Sequence, residues 1–143
     1  MEYNTNILVA LELIQEIDEK ILHKALDGSI INRLNVHVVH VIGIIGEQGM
    51  VPPDFLLEDL KEREDNAKKK IFELGSLFNI PMENRFVKVG NIKESMVDLI
   101  KNINAGLLVV GNHSRHGFDT WFHWNNTVNL LKNCDCDVFA VRV

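Results

Sequence analysis

Leu107-Leu108-Val109-Val110-Gly111-Asn112-His113-Ser114-Arg115-His116-Gly117 opens with unbroken apolar residues that give way, at a glycine, to polar and cationic side chains. A strand covered by helices on both faces reads this way, continuous rather than alternating, and the loop that leaves it carries the polar groups. Ile7-Leu8-Val9-Ala10-Leu11, Val36 to Ile42 and Val138-Phe139-Ala140-Val141 have the same character, and Arg85-Phe86-Val87-Lys88-Val89 is a weaker fifth candidate. Helical spacing fills the intervals. Ile14, Ile17, Ile21 and Ala25 follow the first strand; Leu57, Leu60, Ala67, Ile71, Leu74 and Phe78 follow the second; Ile92, Met96, Leu99, Ile100 and Ile103 follow the third; Val128 and Leu131 precede the last. Strand and helix alternate throughout, which predicts an α/β layered domain with a mainly parallel sheet joined by right-handed crossovers.

Turn residues mark the joints. Asp27-Gly28 falls near the end of the first helix, Gly43 and Gly46 follow the second strand, Pro52-Pro53 opens the second helix, Pro81 closes its exit, and Gly90-Asn91 starts the third. Residues 43–53 form the one long irregular connection. Between Glu58 and Lys70, Asp59 with Arg63, Glu64 with Lys68 and Asp65 with Lys69 stand four apart, as on a solvated helix face.

The chain has 143 residues, enough for one domain over 1–143 to bury roughly 70% of the surface its unfolded form exposes. Hydrophobic residues make up 46% and charged residues 24%, which excludes an intrinsically disordered chain. A formal charge of −5 with no basic block makes nucleic acid a poor partner. No apolar stretch reaches the ~20 residues needed to cross a bilayer, and Met1-Glu2-Tyr3-Asn4 lacks the features of an export signal, so a soluble cytoplasmic protein without a membrane partner is expected. Cys134 and Cys136 are too few and too close for a disulfide framework and read as reduced, small apolar residues at the edge of a strand.

In an open α/β sheet, ligands bind beyond the carboxyl ends of the strands. Two loops leave an apolar strand abruptly: Leu11-Glu12-Leu13-Ile14 after the first, and Gly111 to Phe118 after the fourth. The second places Gly111, His113, Ser114, Arg115, His116 and Gly117 together, and Asn125 and Asn126 follow as helix caps. A helix N-terminus beside an arginine suits an anion. The plainer alternative is that the glycines turn the chain and Arg115 faces water.

Together these residues resemble the universal stress protein family. Asn6-Ile7-Leu8-Val9-Ala10, His40-Val41, Val89-Gly90 and Leu108-Val109-Val110-Gly111 carry the pattern over nearly the whole chain, and the run from Gly111 through Cys136 to Val141-Arg142 is similar to the family's C-terminal block without a gap. The resemblance implies a three-layer α/β/α fold of the adenine nucleotide alpha hydrolase-like kind, with a five-stranded sheet in order 3-2-1-4-5. It puts the switch point between the first and fourth strands, with a pocket formed by Ala10, Glu12, Val41, Gly111, His113, Ser114, Arg115, Asn125 and Asn126.

Nucleotide-binding members of that family carry Gly-x-x-Gly, nine residues, then Gly-Ser or Gly-Thr, so that backbone amides close on a triphosphate with no Cβ in the way. This chain keeps Gly111; Ser114, Trp124 and Asn125 hold the remaining motif positions. Glu12 stands where such members carry Asp. The pattern resembles the branch that has lost the glycine motif. It implies a homodimer acting in stress resistance by binding, without ATP in the family's usual mode and without a dedicated cofactor. The alternative is an ATP-binding or slowly ATP-hydrolysing member with a variant loop, in which Arg115 and the amides near Asn125 and Asn126 meet phosphates and Glu12 meets ribose or Mg²⁺.

Other chemistries are thinly supported. His113, His116 and His123 have only Asp119 near them to complete a metal set, and His37 and His40 lie three apart on a strand, hence on opposite faces. These two read as core or strand-end histidines whose ring N–H groups find carbonyl partners. Ser114 has histidine neighbours but no carboxylate that the sequence places behind them, so no catalytic set is assigned and enzymatic activity is not expected. Trp121 and Trp124 share a helix face as core, as a dimer contact, or as a surface that recruits a partner protein. In the order the resemblance implies, the last strand lies at the sheet edge, with no helix after it, an open pairing template. Following the family, a homodimer through Val138, Phe139, Ala140 and Val141 is expected.

Overall fold

The computed structural model describes residues 6–27, 35–43, 54–112 and 134–143, and within the second helix side chains from residue 57 onward. His113, Ser114, Arg115, Asn125 and Asn126, the tryptophans, Pro52-Pro53 and the helix expected around Val128 and Leu131 lie outside these residues.

The strands form where the apolar runs stand. They are β1 (Asn6–Ala10), β2 (Val36–Gly43), β3 (Arg85–Gly90), β4 (Ala105–Asn112) and β5 (Asp137–Arg142). All four neighbouring pairs are parallel, in the order β3-β2-β1-β4-β5. The expected order is therefore the observed one. Chain order reverses between β1 and β4, whose register pairs Ile7 with Leu107 and Val9 with Val109 after a shift at Asn6.

Helices cover both faces. α1 (Gln15–Leu26) and α2 (Asp54–Leu77) pack on one, where Ile21, Leu22, Ala25, Ile71, Leu74 and Phe78 meet Ile7, Val9, Val36 and Val38. α3 (Ile92–Ile103) packs on the other, where Met96, Leu99 and Ile100 meet Leu8, Ala10, Val39, Val41 and Leu108. The central strands β1, β2 and β4 thus send alternate residues to two buried layers, which is why apolar residues follow one another along them.

Local signals set the ends of α3. The Asn91 side chain accepts the Glu94 N–H at 3.0 Å, and Asn104 closes the helix in a left-handed conformation, φ 54°. α1 begins differently from its expected stripe: Ile14 is the residue before the helix, 53% exposed and without a side-chain cap, so the buried face starts further along. Of the three four-residue charge pairs on α2, Glu64–Lys68 is the one that closes among the described residues, at 3.1 Å. Among the described residues no helix is long and apolar enough to cross a membrane.

Candidate functional site

The carboxyl ends of β1 and β4 lie side by side, and between β1 and α1 the chain runs without regular structure. β1 ends at Ala10, yet the Leu11 N–H still donates to the Val39 carbonyl at 2.8 Å, so β2 guides the chain one residue further. Leu13 then adopts φ 63°, the left-handed region that an L side chain with bulk adopts only under constraint. That turn aims the Glu12 side chain across the sheet end toward β4.

Gly111 shows where it arrives. A Cβ built on Gly111 would stand 3.1 Å from Glu12 Oε2, 3.0 Å from Ile21 Cδ1 and 3.5 Å from Val143 Cγ2. The absence of a side chain is what lets a carboxylate, an α1 isoleucine and Val143 converge at one point. Glu12 and Gly111 are thus brought together as the switch-point reading expects. Ala10 and Val41 are brought together as well, but as packed members of the α3-side core, fully buried.

Two side chains that the sequence reading did not assign to the site hold this loop. Asp18, 1% exposed, accepts the Glu12 N–H on Oδ1 at 2.8 Å. Burial pushes its carboxyl up to about 6, opposed by the backbone N–H groups of Glu12 and Leu13. His40 donates from Nδ1 to the Leu11 carbonyl at 2.7 Å, since a carbonyl can only accept. Burial holds this imidazole below its usual range, although the Leu11 carbonyl favours its protonation. His37 donates likewise to the Asn35 carbonyl at 3.0 Å, so both strand histidines have the carbonyl partners expected of them.

A cavity of about 270 Å³ lies behind the loop, between it and α2, lined by Leu13, Gln15, Asp18, Lys70, Glu73 and Leu74. Neither Glu12 nor Gly111 lines it, so it is distinct from the place where those two meet. Among the described residues no three His, Cys, Asp or Glu side chains gather as a metal ion would need. Cys134 and Cys136 pack against the α3-side core as free thiols, and burial raises that of Cys136 to about 11. A protonated, half-buried thiol is a weak nucleophile, in keeping with a packing role.

A signal for Asp18 was present: an acid three and four residues before Ile21 and Leu22 sits on the apolar stripe. His40 was expected to find a carbonyl partner near the end of its strand, but nothing in the sequence pointed to that of Leu11.

Comparison with known proteins bears on the family and the fold. The sequence profile described as the universal stress protein family matches residues 4–142. Universal stress protein A homolog 2 of Coxiella burnetii is 32% identical over 147 residues, covering 100% of this chain and 98% of that protein. Among solved structures, the universal stress protein from Archaeoglobus fulgidus in complex with dAMP superposes with a TM-score of 0.56 at 18% identity, covering 99% of each chain. A universal stress protein family protein from Arabidopsis thaliana with AMP bound does so with a TM-score of 0.58 at 12% identity, covering 96% of this chain and 91% of that one. At such identities these two establish a common fold.

Proposed function

The chain belongs to the universal stress protein family, and from that membership we propose that it acts in stress resistance by binding, its crevice taking an adenosine monophosphate rather than a triphosphate. The observation that carries this reading is the approach of the Glu12 carboxylate to Gly111, 3.1 Å from the place a Cβ would occupy. An acceptor beside bare backbone suits a ribose, whose hydroxyls donate to the carboxylate while the ring closes on the glycine. The relatives from Archaeoglobus and Arabidopsis hold dAMP and AMP respectively.

The monophosphate limit comes from the sequence. Ser114, Trp124 and Asn125 stand at motif positions where nucleotide-binding members have glycines and a small hydroxyl residue. A triphosphate needs several amides converging on it without intervening side chains, whereas one phosphate asks for a single cluster of donors.

Thermal unfolding with AMP, and separately with ATP and Mg²⁺, tests the reading. Ligand at a hundred times its dissociation constant stabilises the native state by about 2.7 kcal/mol, a shift on the order of 10 °C for a chain of this length. AMP is expected to raise the midpoint and ATP to raise it less. A larger shift with ATP would favour the triphosphate alternative, and no shift with either would overturn the nucleotide reading.

The same reading includes a homodimer through Val138, Phe139, Ala140 and Val141. β5 is last in the sheet, with Phe139 47% exposed. The opposite edge, β3, carries Arg85 and Lys88, charges of the kind that discourage strand pairing. Val141 contributes differently from Phe139, since it is buried in the core beside α1.

A further inference from the structure

The turn that presents Glu12 is held from behind by side chains of α1 and β2. The Leu11 carbonyl accepts from His40 at 2.7 Å, and the Glu12 N–H donates to Asp18 at 2.8 Å, with the Leu13 N–H also favouring the Asp18 charge. Leu13 meanwhile sits at φ 63°. An unfavourable leucine conformation persists only where its surroundings over-determine it. Here the buried Asp18 carboxylate supplies that determination, since it gathers consecutive amides that no strand or helix satisfies.

We propose that Asp18 is a positioning residue for the crevice: its carboxylate holds the Leu11–Leu13 turn so that Glu12 faces Gly111, and neutralising that carboxylate releases Glu12 and weakens nucleotide binding. The second half rests on the nucleotide reading above; the first does not.

The ionised carboxylate has acceptor capacity for both amides, whereas the protonated form gives up part of it to carry its own proton. Asp18 makes that change at about pH 6. The groups around it are Glu12 on the same loop, Lys70 and Glu73 of α2 on the cavity behind, and His40 of β2 across the turn, itself near Arg63 and Lys70. The Glu12 charge raises Asp18 and that of Lys70 lowers it. His40 keeps its Nδ1 proton in either state, so its own titration leaves the bond to Leu11 in place. Because coupling is reciprocal, a nucleotide that needs the ionised form must lower the Asp18 pKa when it binds.

Two measurements separate the halves. In the free protein at pH 7.5, amide hydrogen exchange at Glu12 and Leu13 is expected to accelerate about tenfold or more in Asp18→Ala, to accelerate less in Asp18→Asn, which like the protonated acid keeps one carbonyl acceptor, and to stay unchanged at Val9 and Val109. Unaltered exchange in both variants would overturn the positioning role. If Asp18→Ala does not fold, wild type against Asp18→Asn at pH 5 and pH 7.5 carries the same comparison, because acid alone should loosen the wild-type turn. For the second half, the ratio of wild-type to Asp18→Asn affinity for AMP is expected to fall several-fold from pH 7.5 to pH 5, the protonation of the AMP phosphate at about pH 6 being common to both. A ratio that stays constant would overturn the coupling. Absence of AMP binding at every pH, with exchange still governed by residue 18, would defeat the nucleotide reading and leave the positioning role standing.

Discussion

Asp18 shares the buried side of α1 with Ile21, Leu22 and Ala25. Its carboxyl sits at about 6 in the folded chain against 3.8 for an exposed aspartate, so the native state binds the extra proton between those values. Folding is therefore most favoured by this group below about pH 4, and that contribution is lost as pH rises through 6, a swing of about 3 kcal/mol. His40 works in the opposite sense, its lowered pKa favouring the native state as pH rises. Urea midpoints of wild type and Asp18→Asn isolate the first effect: the variant is expected to gain on wild type as pH goes from 4 to 7, and a constant difference would contradict it. An acid in the first turn of a helix is ordinarily explained by the helix dipole. That explanation masks the one signal Asp18 gives in the sequence, its place on the apolar stripe, and only the neighbouring turn reveals amides for it to hold. Glu12 and Gly111 were legible because each directly follows or ends an apolar run at a strand end.

At the scale of elements, α2 and β3 are joined through an arginine that takes the place of a side chain. Gly75 is buried near the end of α2, and a Cβ there would collide with the Arg85 guanidinium. Arg85 donates from Nε and Nη2 to the Ile80 carbonyl at 3.1 and 2.7 Å, and from Nη1 to the Phe72 carbonyl at 3.1 Å and Ser76 Oγ at 3.3 Å. Alanine at 75 gains about 1 kcal/mol of helix propensity. It displaces several charge-assisted bonds worth about 1.5–3 kcal/mol each when intact, though partial exposure lessens them. Gly75→Ala is therefore expected to lower stability by about 1–2 kcal/mol in a urea titration; a stabilised variant would show that the guanidinium finds equal partners elsewhere. β1, β2, β4 and β5 were plain in the sequence because apolar runs, broken in β2 only by His37 and His40, leave little choice. β3 was faint because it lies at the edge, half-buried, with Arg85 and Lys88 interrupting it. The start of α1 was misjudged because Ile14 fits the helical spacing while its backbone is extended, φ −108° and ψ 110°.

For the whole molecule, alternation of strand and helix predicted the layered class, while the strand order came from resemblance, since periodicity says nothing about which strands are neighbours. The loop after β4 was legible only as a list of residue types, because its chemistry depends on where each side chain goes. The proposed homodimer rests on the unequal edges of the sheet. Phe139→Glu, on the exposed side of β5, is expected to turn dimers into monomers in light scattering with little change in stability; an unchanged dimer mass would move the interface elsewhere. Val141→Glu is a poor substitute, since it places a charge in the core and unfolds the chain first. The crevice itself is tested most directly by an AMP titration followed through backbone amide resonances. The expected result is saturable movement centred on Leu11, Glu12, Gly111 and Asn112, lost in Glu12→Ala. Saturable binding that leaves those amides still, or no binding at millimolar AMP, would contradict a nucleotide seat between β1 and β4.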